Sequence, residues 1–261
     1  MTTAAFEPGI WVAALPLLLI AAACTWIVTL PLRNLSLADS LWSLLLFAAA
    51  VIYALDSDPR APRLSLVLWL MAVWAARLAI YLAARNAGKG ESWRYRALRE
   101  RHGRSFALRS LLLVFAAQAL LAWIVSLPLL GAFASIAPLG PLDALGAALW
   151  FAGFLLEAEA DWQLARFRAN PANADAVLRT GLWRYTRHPN YFGECCVWWG
   201  FWMMALSAGA WWSFPGPLLL TWLLLRVSGV PLLEGHLGNH RPQYADYVLK
   251  TNAFIPSRPR K

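Results

Sequence analysis

The sequence has few cysteines and few charged side chains. Its 261 residues include three cysteines, Cys24, Cys195 and Cys196, each within apolar sequence. Three such thiols are too few for a disulfide framework or a four-ligand zinc site, so we interpret them as small packing residues and expect no metal. Charged residues make up only 14% of the chain, which excludes an ordinary soluble domain.

The chain is rich in long apolar runs. Hydrophobic residues make up 60% of the chain, and apolar runs near the length of a bilayer crossing recur along it. The first run lacks a basic leader and is followed by others, so we treat it as a mature helix. The pattern predicts one all-α membrane domain, a polytopic bundle of about seven transmembrane helices. The predicted spans are about 9–31, 37–55, 64–84, 108–136, 141–160, 191–209 and 211–230.

Eighteen of the 23 lysines and arginines lie in three segments between or after these spans. They lie at 85–109, at 166–187 and in the tail from 241, and the net charge is +9. The positive-inside rule predicts that these segments are cytoplasmic and that the amino terminus is outside. Anionic membrane lipids explain the charge more simply than a nucleic acid, so we expect no nucleic-acid partner.

One stretch, Gly181–Gly200, combines arginines, aromatics and a proline just before an apolar helix. Pro189 predicts a turn before the sixth span, with Asn190 as a plausible N-cap. A helix amino terminus near arginines would hold a phosphate-bearing cofactor. Glu194 follows one turn later within apolar sequence, where an ionisable residue is a functional hypothesis.

Other spans also carry polar residues at helical spacing. Asp39 and Trp42 share a face of the second span, and Trp74, Arg77 and Tyr81 form a stripe on the third. A polar cavity explains them, and the alternatives are a surface carboxylate at Asp39 and a structural ion pair at Arg77.

The fifth span becomes polar at its end. Glu157, Asp161 and Arg168 are spaced to face one polar pocket, although a helix emerging into water would also carry such charges. After the third span, Gly88-Lys89-Gly90 could approach a pyrophosphate, but ordinary loop charge accounts for most of that segment.

The carboxy-terminal segment could fold back to close the cytoplasmic mouth of the bundle. Pro231 should break or kink the seventh helix. His236 and His240 have a metal-binding spacing, but Gly235 and Gly238 argue against a continuous helix there.

The stretch Gly181–Glu194 resembles the carboxy-terminal domain of the steroid 5α-reductase family, particularly its bacterial uncharacterised membrane branch. The similarity continues from about Glu157 through Pro256. It implies a reductase of the bacterial inner membrane that uses NADPH to saturate an activated C=C bond of a lipid-like or steroid-like enone. Residues 1–140 would line the substrate side, and residues 141–261 would bind the cofactor.

The resemblance and the basic motif together predict the site residues. Tyr81, supported by Asp39, would be the catalytic donor to the substrate carbonyl. Trp42, Trp74 and Arg77 would bind the substrate. The predicted cofactor-binding residues are Asp161, Arg168, Tyr185, Arg187, His188, Asn190, Tyr191, Glu194, Arg226 and Tyr244.

Two features keep other functions open. The Gln-Glu pair of steroid-reducing members is missing from the second span, so another lipid-like enone is the expected substrate. The chain is also similar to isoprenylcysteine carboxyl methyltransferases, which use S-adenosylmethionine. That similarity rests on Arg187, His188, Pro189, Tyr191 and Gly193, with Glu234 as a later glutamate. A non-enzymatic lipid-binding role is the remaining alternative.

Overall fold

The computed structural model describes residues 4–260, apart from the side chains of Asn239 and His240. Within those residues it contains helices and turns and no strand, which confirms the all-α prediction. The α-helices are α1 (Pro8–Leu32), α2 (Leu37–Leu55), α3 (Pro62–Asn86), α4 (Trp93–His102), α5 (Phe106–Ser110), α6 (Ala117–Val125), α7 (Leu127–Phe133), α8 (Pro141–Ala169), α9 (Pro189–Ser207), α10 (Pro215–Arg226), α11 (Val230–His240) and α12 (Tyr244–Lys250). A π-helical segment, Leu111–Ala116, joins α5 to α6.

Six helical segments of the described chain are long and apolar enough to cross a membrane. They are Pro8–Leu32, Leu37–Leu55, Pro62–Asn86, Trp93–Phe133, Pro141–Ala169 and Trp211–Gly238. The polytopic membrane bundle is therefore confirmed, but by length and composition the count is six rather than about seven. The predicted sixth span forms α9, which is not among the six because Asn190, Tyr191 and Glu194 make its first turns polar.

Prolines set where many of the helices begin. α1, α3, α8, α9 and α10 each start at a proline, which suits the first turn because that N–H has no partner within the helix. Pro231 occupies the first turn of α11, after α10 has ended at Arg226. The expected break near Gly235 and Gly238 is wrong, since α11 continues through both at the usual cost of glycine in a helix. The metal-binding spacing of His236 and His240, which the sequence analysis did not favour, falls on His240, whose side chain lies outside the described residues.

The chain forms two compact units. The first comprises Met1–Gly140 and Met204–Gly216, and the second comprises Pro141–Met203 and Pro217–Lys261. In the first unit, buried polar groups bond to one another or to backbone carbonyls, as a low-dielectric surrounding requires. The Tyr53 hydroxyl lies 2.9 Å from Ser126 Oγ, and Arg63, 1% exposed, donates to the Ala137 carbonyl at 2.8 Å.

The second unit is built on a close contact between the backbones of α8 and α9. A Cβ on Gly193 would lie 2.7 Å from the Gly153 carbonyl oxygen, and a Cβ on Gly200 would lie 2.7 Å from the Gly146 carbonyl oxygen. Each helix therefore carries two glycines seven residues apart, and these glycines let the two antiparallel helices pack with their backbones in contact. Small residues at such contacts are the usual basis of packing between membrane helices.

We expect Gly193→Ala to destabilise the protein by about 1–3 kcal/mol, because the new methyl group overlaps backbone atoms that cannot move away. Gly235→Ala is the matched control, since a Cβ there has nothing within 4 Å and alanine favours a helix. Thermal unfolding in detergent measures both. Equal melting temperatures for the two variants would contradict the close contact of α8 and α9.

The predicted orientation can be tested with cysteines placed at exposed positions. In a variant lacking Cys24, Cys195 and Cys196, we expect Lys89→Cys and Thr180→Cys to react with an impermeant thiol reagent only in inverted vesicles, because positive charge retains these segments inside. Ile136→Cys, between α7 and α8, should react in intact cells. Labelling of Thr180→Cys from outside would overturn the arrangement.

Candidate functional site

The turn before α9 is held against α8. Gly181 has φ +61°, a backbone conformation that favours glycine, and a Cβ there would lie 2.4 Å from Gln163 Oε1 and displace that side chain. The Leu182 N–H donates to that same Gln163 oxygen at 3.0 Å. Trp183 Nε1 donates to the Ala160 carbonyl at 3.1 Å. The turn predicted before Pro189 is therefore present, and it lies on the polar end of α8.

Arg187 is the centre of the second unit's polar network. Its side chain is 8% exposed, and its Nε donates to Glu234 Oε1 at 2.7 Å. Its Nη1 donates to the carbonyls of Val248, at 3.1 Å, and Thr251. Its backbone N–H donates to the Asn252 carbonyl at 2.9 Å. The guanidinium thus joins α11 to the end of α12, and two of its nitrogens already have protein acceptors.

His188 meets the same carboxylate. Its Nε2 lies 3.1 Å from Glu234 Oε1, and its ring stacks on Tyr191 with centroids 5.4 Å apart. Tyr244 also interacts with Arg187 and Glu234. Four of the predicted cofactor residues, Arg187, His188, Tyr191 and Tyr244, are therefore gathered around or next to Glu234.

The carboxy-terminal tail is hydrogen-bonded to the turn that precedes α9. Thr186 Oγ1 donates to the Phe254 carbonyl at 2.8 Å, and the Ser257 N–H donates to the Tyr185 carbonyl at 2.9 Å. The Tyr247 hydroxyl donates to the Trp183 carbonyl, and burial raises the pKa of that phenol above its ordinary value. Tyr247 therefore stays protonated and remains a donor at neutral pH.

A second polar cluster lies where α8 meets the start of α9. Glu157, Asp161 and Glu194 are 2%, 4% and 8% exposed, so three acids are buried within apolar helices. Asn190 Nδ2 donates to Asp161 Oδ1 at 3.2 Å. The prediction that Asn190 is the N-cap is wrong, because α9 begins one residue earlier at Pro189 and the amide is directed to α8.

The Asn190 amide has one unused acceptor. A carboxylate accepts only from the nitrogen side of an amide, so Asp161 fixes which way this amide points. Asn190 Oδ1 is then buried with no hydrogen-bond partner among the described residues. A buried acceptor of this kind costs free energy unless a donor reaches it.

Three of the predicted cofactor residues lie at the surface of the second unit. Tyr185 is 44% exposed. Arg168, near the end of α8, and Arg226, the last residue of α10, are also exposed. Arg226 forms no ion pair within the described part of the chain, so its charge is available to an anionic ligand.

The remaining predicted residues belong to the first unit. Tyr81, Arg77, Trp74 and Trp42 lie on α3 and α2, and Trp74 is fully buried. Asp39 does not support Tyr81, and we correct that pairing. Its two carboxylate oxygens accept instead from Arg85 at 2.7 Å, Asn86 at 3.2 Å, Arg94 at 2.9 Å and the Tyr95 hydroxyl at 2.8 Å.

Comparison with known proteins places this arrangement in a family. A family model described as "Protein of unknown function (DUF1295)" matches residues 25–251. The chain belongs to this family. Neither the curated proteins nor the solved structures contain a match to it. The matched range includes both polar clusters of the second unit and all five predicted residues of the first.

Sequence reasoning assigned Glu234 only to the methyltransferase alternative, although it is the acceptor that joins Arg187 to His188. It also missed the paired glycines that bring α8 and α9 together. The glycine spacing was visible as Gly146/Gly153 and Gly193/Gly200, whereas only the similarity to the methyltransferases linked Glu234 to Arg187, 47 positions earlier.

We expect Arg187→Met to destabilise the protein by about 3 kcal/mol, because it leaves the Glu234 carboxylate without its closest cation. It should also release the tail, making the bond after Lys250 sensitive to trypsin. Detergent thermal unfolding and limited proteolysis measure the two effects.

Arg184→Met is the control, since Arg184 is exposed three residues away and makes no ion pair in the described chain. A tail equally resistant to trypsin in both variants would show that Arg187 does not hold it.

Proposed function

We propose that the chain is a membrane-embedded reductase that uses NADPH to saturate an activated C=C bond of a lipid-like or steroid-like enone. The observation that supports this most directly is the Asn190 amide, whose oxygen is buried without a described partner. A carboxamide or ribose hydroxyl of the cofactor is a donor of the type this acceptor needs. The residues present therefore fit such a group.

The second unit supplies the other contacts that the proposal needs. Asn190 and Glu194 would hold the nicotinamide amide or ribose, with Asp161 fixing the orientation of Asn190 through its 3.2 Å hydrogen bond. Arg168 and Arg226 would neutralise phosphates, because both are exposed at the ends of helices. When bound, NADPH supplies the hydride, and the protein supplies position and electrostatics.

Arg187 has a different part in the proposal from the one that its motif predicted. Its Nε and Nη1 already donate to Glu234, Val248 and Thr251, so we assign it to positioning rather than to phosphate. It keeps the tail against the turn from Trp183 to His188, and so fixes the start of α9, which carries Asn190 and Glu194.

In this proposal Tyr81 donates a hydrogen bond to the substrate carbonyl, without support from Asp39. A phenol that donates to the substrate oxygen would stabilise the charge that develops there when hydride adds to the double bond. Trp42, Trp74 and Arg77 on the same two helices remain the proposed substrate contacts.

One observation favours a second candidate, a methyltransferase that uses S-adenosylmethionine. Arg187 and His188 converge on Glu234, and these three residues belong to the pattern shared with the isoprenylcysteine carboxyl methyltransferases. The buried acids would also suit a cationic cofactor. The two candidates differ in the cofactor bound and in the atom transferred.

Label transfer distinguishes these candidates. Purified protein is incubated with a membrane lipid extract and either NADPH tritiated at the reactive carbon or S-adenosylmethionine labelled in its methyl group. We expect lipid-soluble label only from NADPH. Label from S-adenosylmethionine alone would replace the reductase with the methyltransferase, and label from neither would favour the non-enzymatic lipid-binding role.

We expect Asn190→Leu and Arg226→Ala each to weaken NADPH binding by about 1.5–3 kcal/mol, because each loses a hydrogen bond to a desolvated or charged partner. Titration of the detergent-solubilised protein measures the affinity. Arg184→Ala is the control, because it removes an equal exposed charge from the same unit. Unchanged affinity in both test variants, with thermal stability intact, would remove these residues from the site.

A further inference from the structure

The basic segment 85–109 runs from the end of α3 through α4 into α5 and lies at one end of the first unit, beside the turn between α1 and α2. Eight basic and two acidic residues occur between positions 85 and 109. The structure divides the basic residues near this end into a group that holds the segment together and a group that faces outward.

The inner group fixes the segment in place. Arg85 and Arg94 pair with Asp39, in the first turn of α2, at 2.7 and 2.9 Å. Arg99 pairs with Glu91 at 2.8 Å, and Glu91 also accepts from the Leu35 N–H at 3.1 Å. The acid side chains are only 6% and 8% exposed. Burial alone would raise the pKa of Glu91, but the bonds from Arg99 and Leu35 hold it below the ordinary value.

The outer group comprises Lys89, Arg96, Arg101 and Arg104. All four are exposed, and none forms an ion pair with a described residue. Lys89 lies between Gly88 and Gly90, whose φ values are +69° and +65°, and a Cβ on either glycine would meet nothing within 4 Å. The backbone beside Lys89 is therefore open to a ligand.

The position of these cations identifies their partner. α3 is a candidate membrane span that ends at Asn86. The next candidate segment, Trp93–Phe133, begins with the polar helix α4, and its long apolar run starts only after Arg109, so the four cations lie between the apolar parts of two spans. Charges between the ends of two spans lie at the level of lipid headgroups, where clustered Lys and Arg attract anionic lipids. We propose that Lys89, Arg96, Arg101 and Arg104 form a binding surface for the phosphate headgroup of an anionic phospholipid.

The ion pairs at Asp39 and Glu91 distinguish this binding surface from a flexible basic loop. Because Asp39 and Glu91 hold Arg85, Arg94 and Arg99 inward, α4 is fixed before the lipid arrives, and binding orders fewer side chains. The proposal does not depend on NADPH or on hydride transfer, so it can fail or succeed independently of the proposed function.

The test uses the full chain in neutral detergent without NADPH. Dioctanoyl phosphatidylglycerol and dioctanoyl phosphatidylcholine are titrated separately, and the affinity and the rise in melting temperature are measured. The variant is Arg96→Gln/Arg101→Gln/Arg104→Gln. We expect the wild type to prefer the anionic lipid and the variant to bind it roughly tenfold or more weakly, because three headgroup charges are lost.

Arg60→Gln/Arg184→Gln/Arg258→Gln is the control, because it removes three exposed charges elsewhere and should keep the wild-type affinity. An equal loss of affinity in this control would overturn the proposal, because it would show that net charge alone determines lipid binding. Equal binding of the two lipids by the wild type would also overturn it. Competition by inorganic phosphate at the same concentration as the lipid would assign the surface to free phosphate instead.

Discussion

The second unit depends on one buried guanidinium. Arg187 lies just before Pro189, and its hydrogen bonds reach Glu234 on α11 and the carbonyls of Val248 and Thr251 at the end of α12. A charge that is 8% exposed is stable only with acceptors around it, so the tail has to fold back onto the turn. The same bonds fix the residue from which α9 begins, and so the direction of every side chain in its first turns.

The start of α9 matters because glycine packing leaves no room between it and α8. Gly153 and Gly193 bring the two backbones into contact, so Asp161 on one helix lies within hydrogen-bonding range of Asn190 on the other. Acids in such a place need donors. Tight packing therefore brings polar groups together within apolar sequence. The Asn190 oxygen is left as a buried acceptor with no hydrogen-bond partner among the described residues.

The sequence was sufficient for the features that depend on local chemistry and insufficient for those that depend on distant pairing. Apolar runs predicted the membrane helices, Pro189 predicted the turn before α9, and the buried acids were recognisable because ionisable residues stand out in apolar sequence. The partners of those residues were not predictable. Asp39 and Tyr81 were paired as substitutes for the residues that steroid-reducing family members carry on the second and third spans, but Arg85, Arg94 and Tyr95 hold Asp39 instead. Arg187 looked like a phosphate ligand because a motif does not reveal which carbonyls a folded tail will present.

The distribution of charge in the second unit bears on the choice between cofactors. The cluster where α8 meets the start of α9 consists of buried acids and an amide, whereas Arg168 and Arg226 are exposed at helix ends. A cofactor with a neutral carboxamide and ribose at one end and phosphates at the other matches both regions. A cationic sulfonium matches the acids alone and carries no phosphate for Arg168 and Arg226 to bind. Because Arg187 already bonds to Glu234 and the tail, Arg168 and Arg226 are the cations that would bind phosphate in the proposed reductase. These two cations and the Asn190 acceptor together are the main support for NADPH as the proposed cofactor.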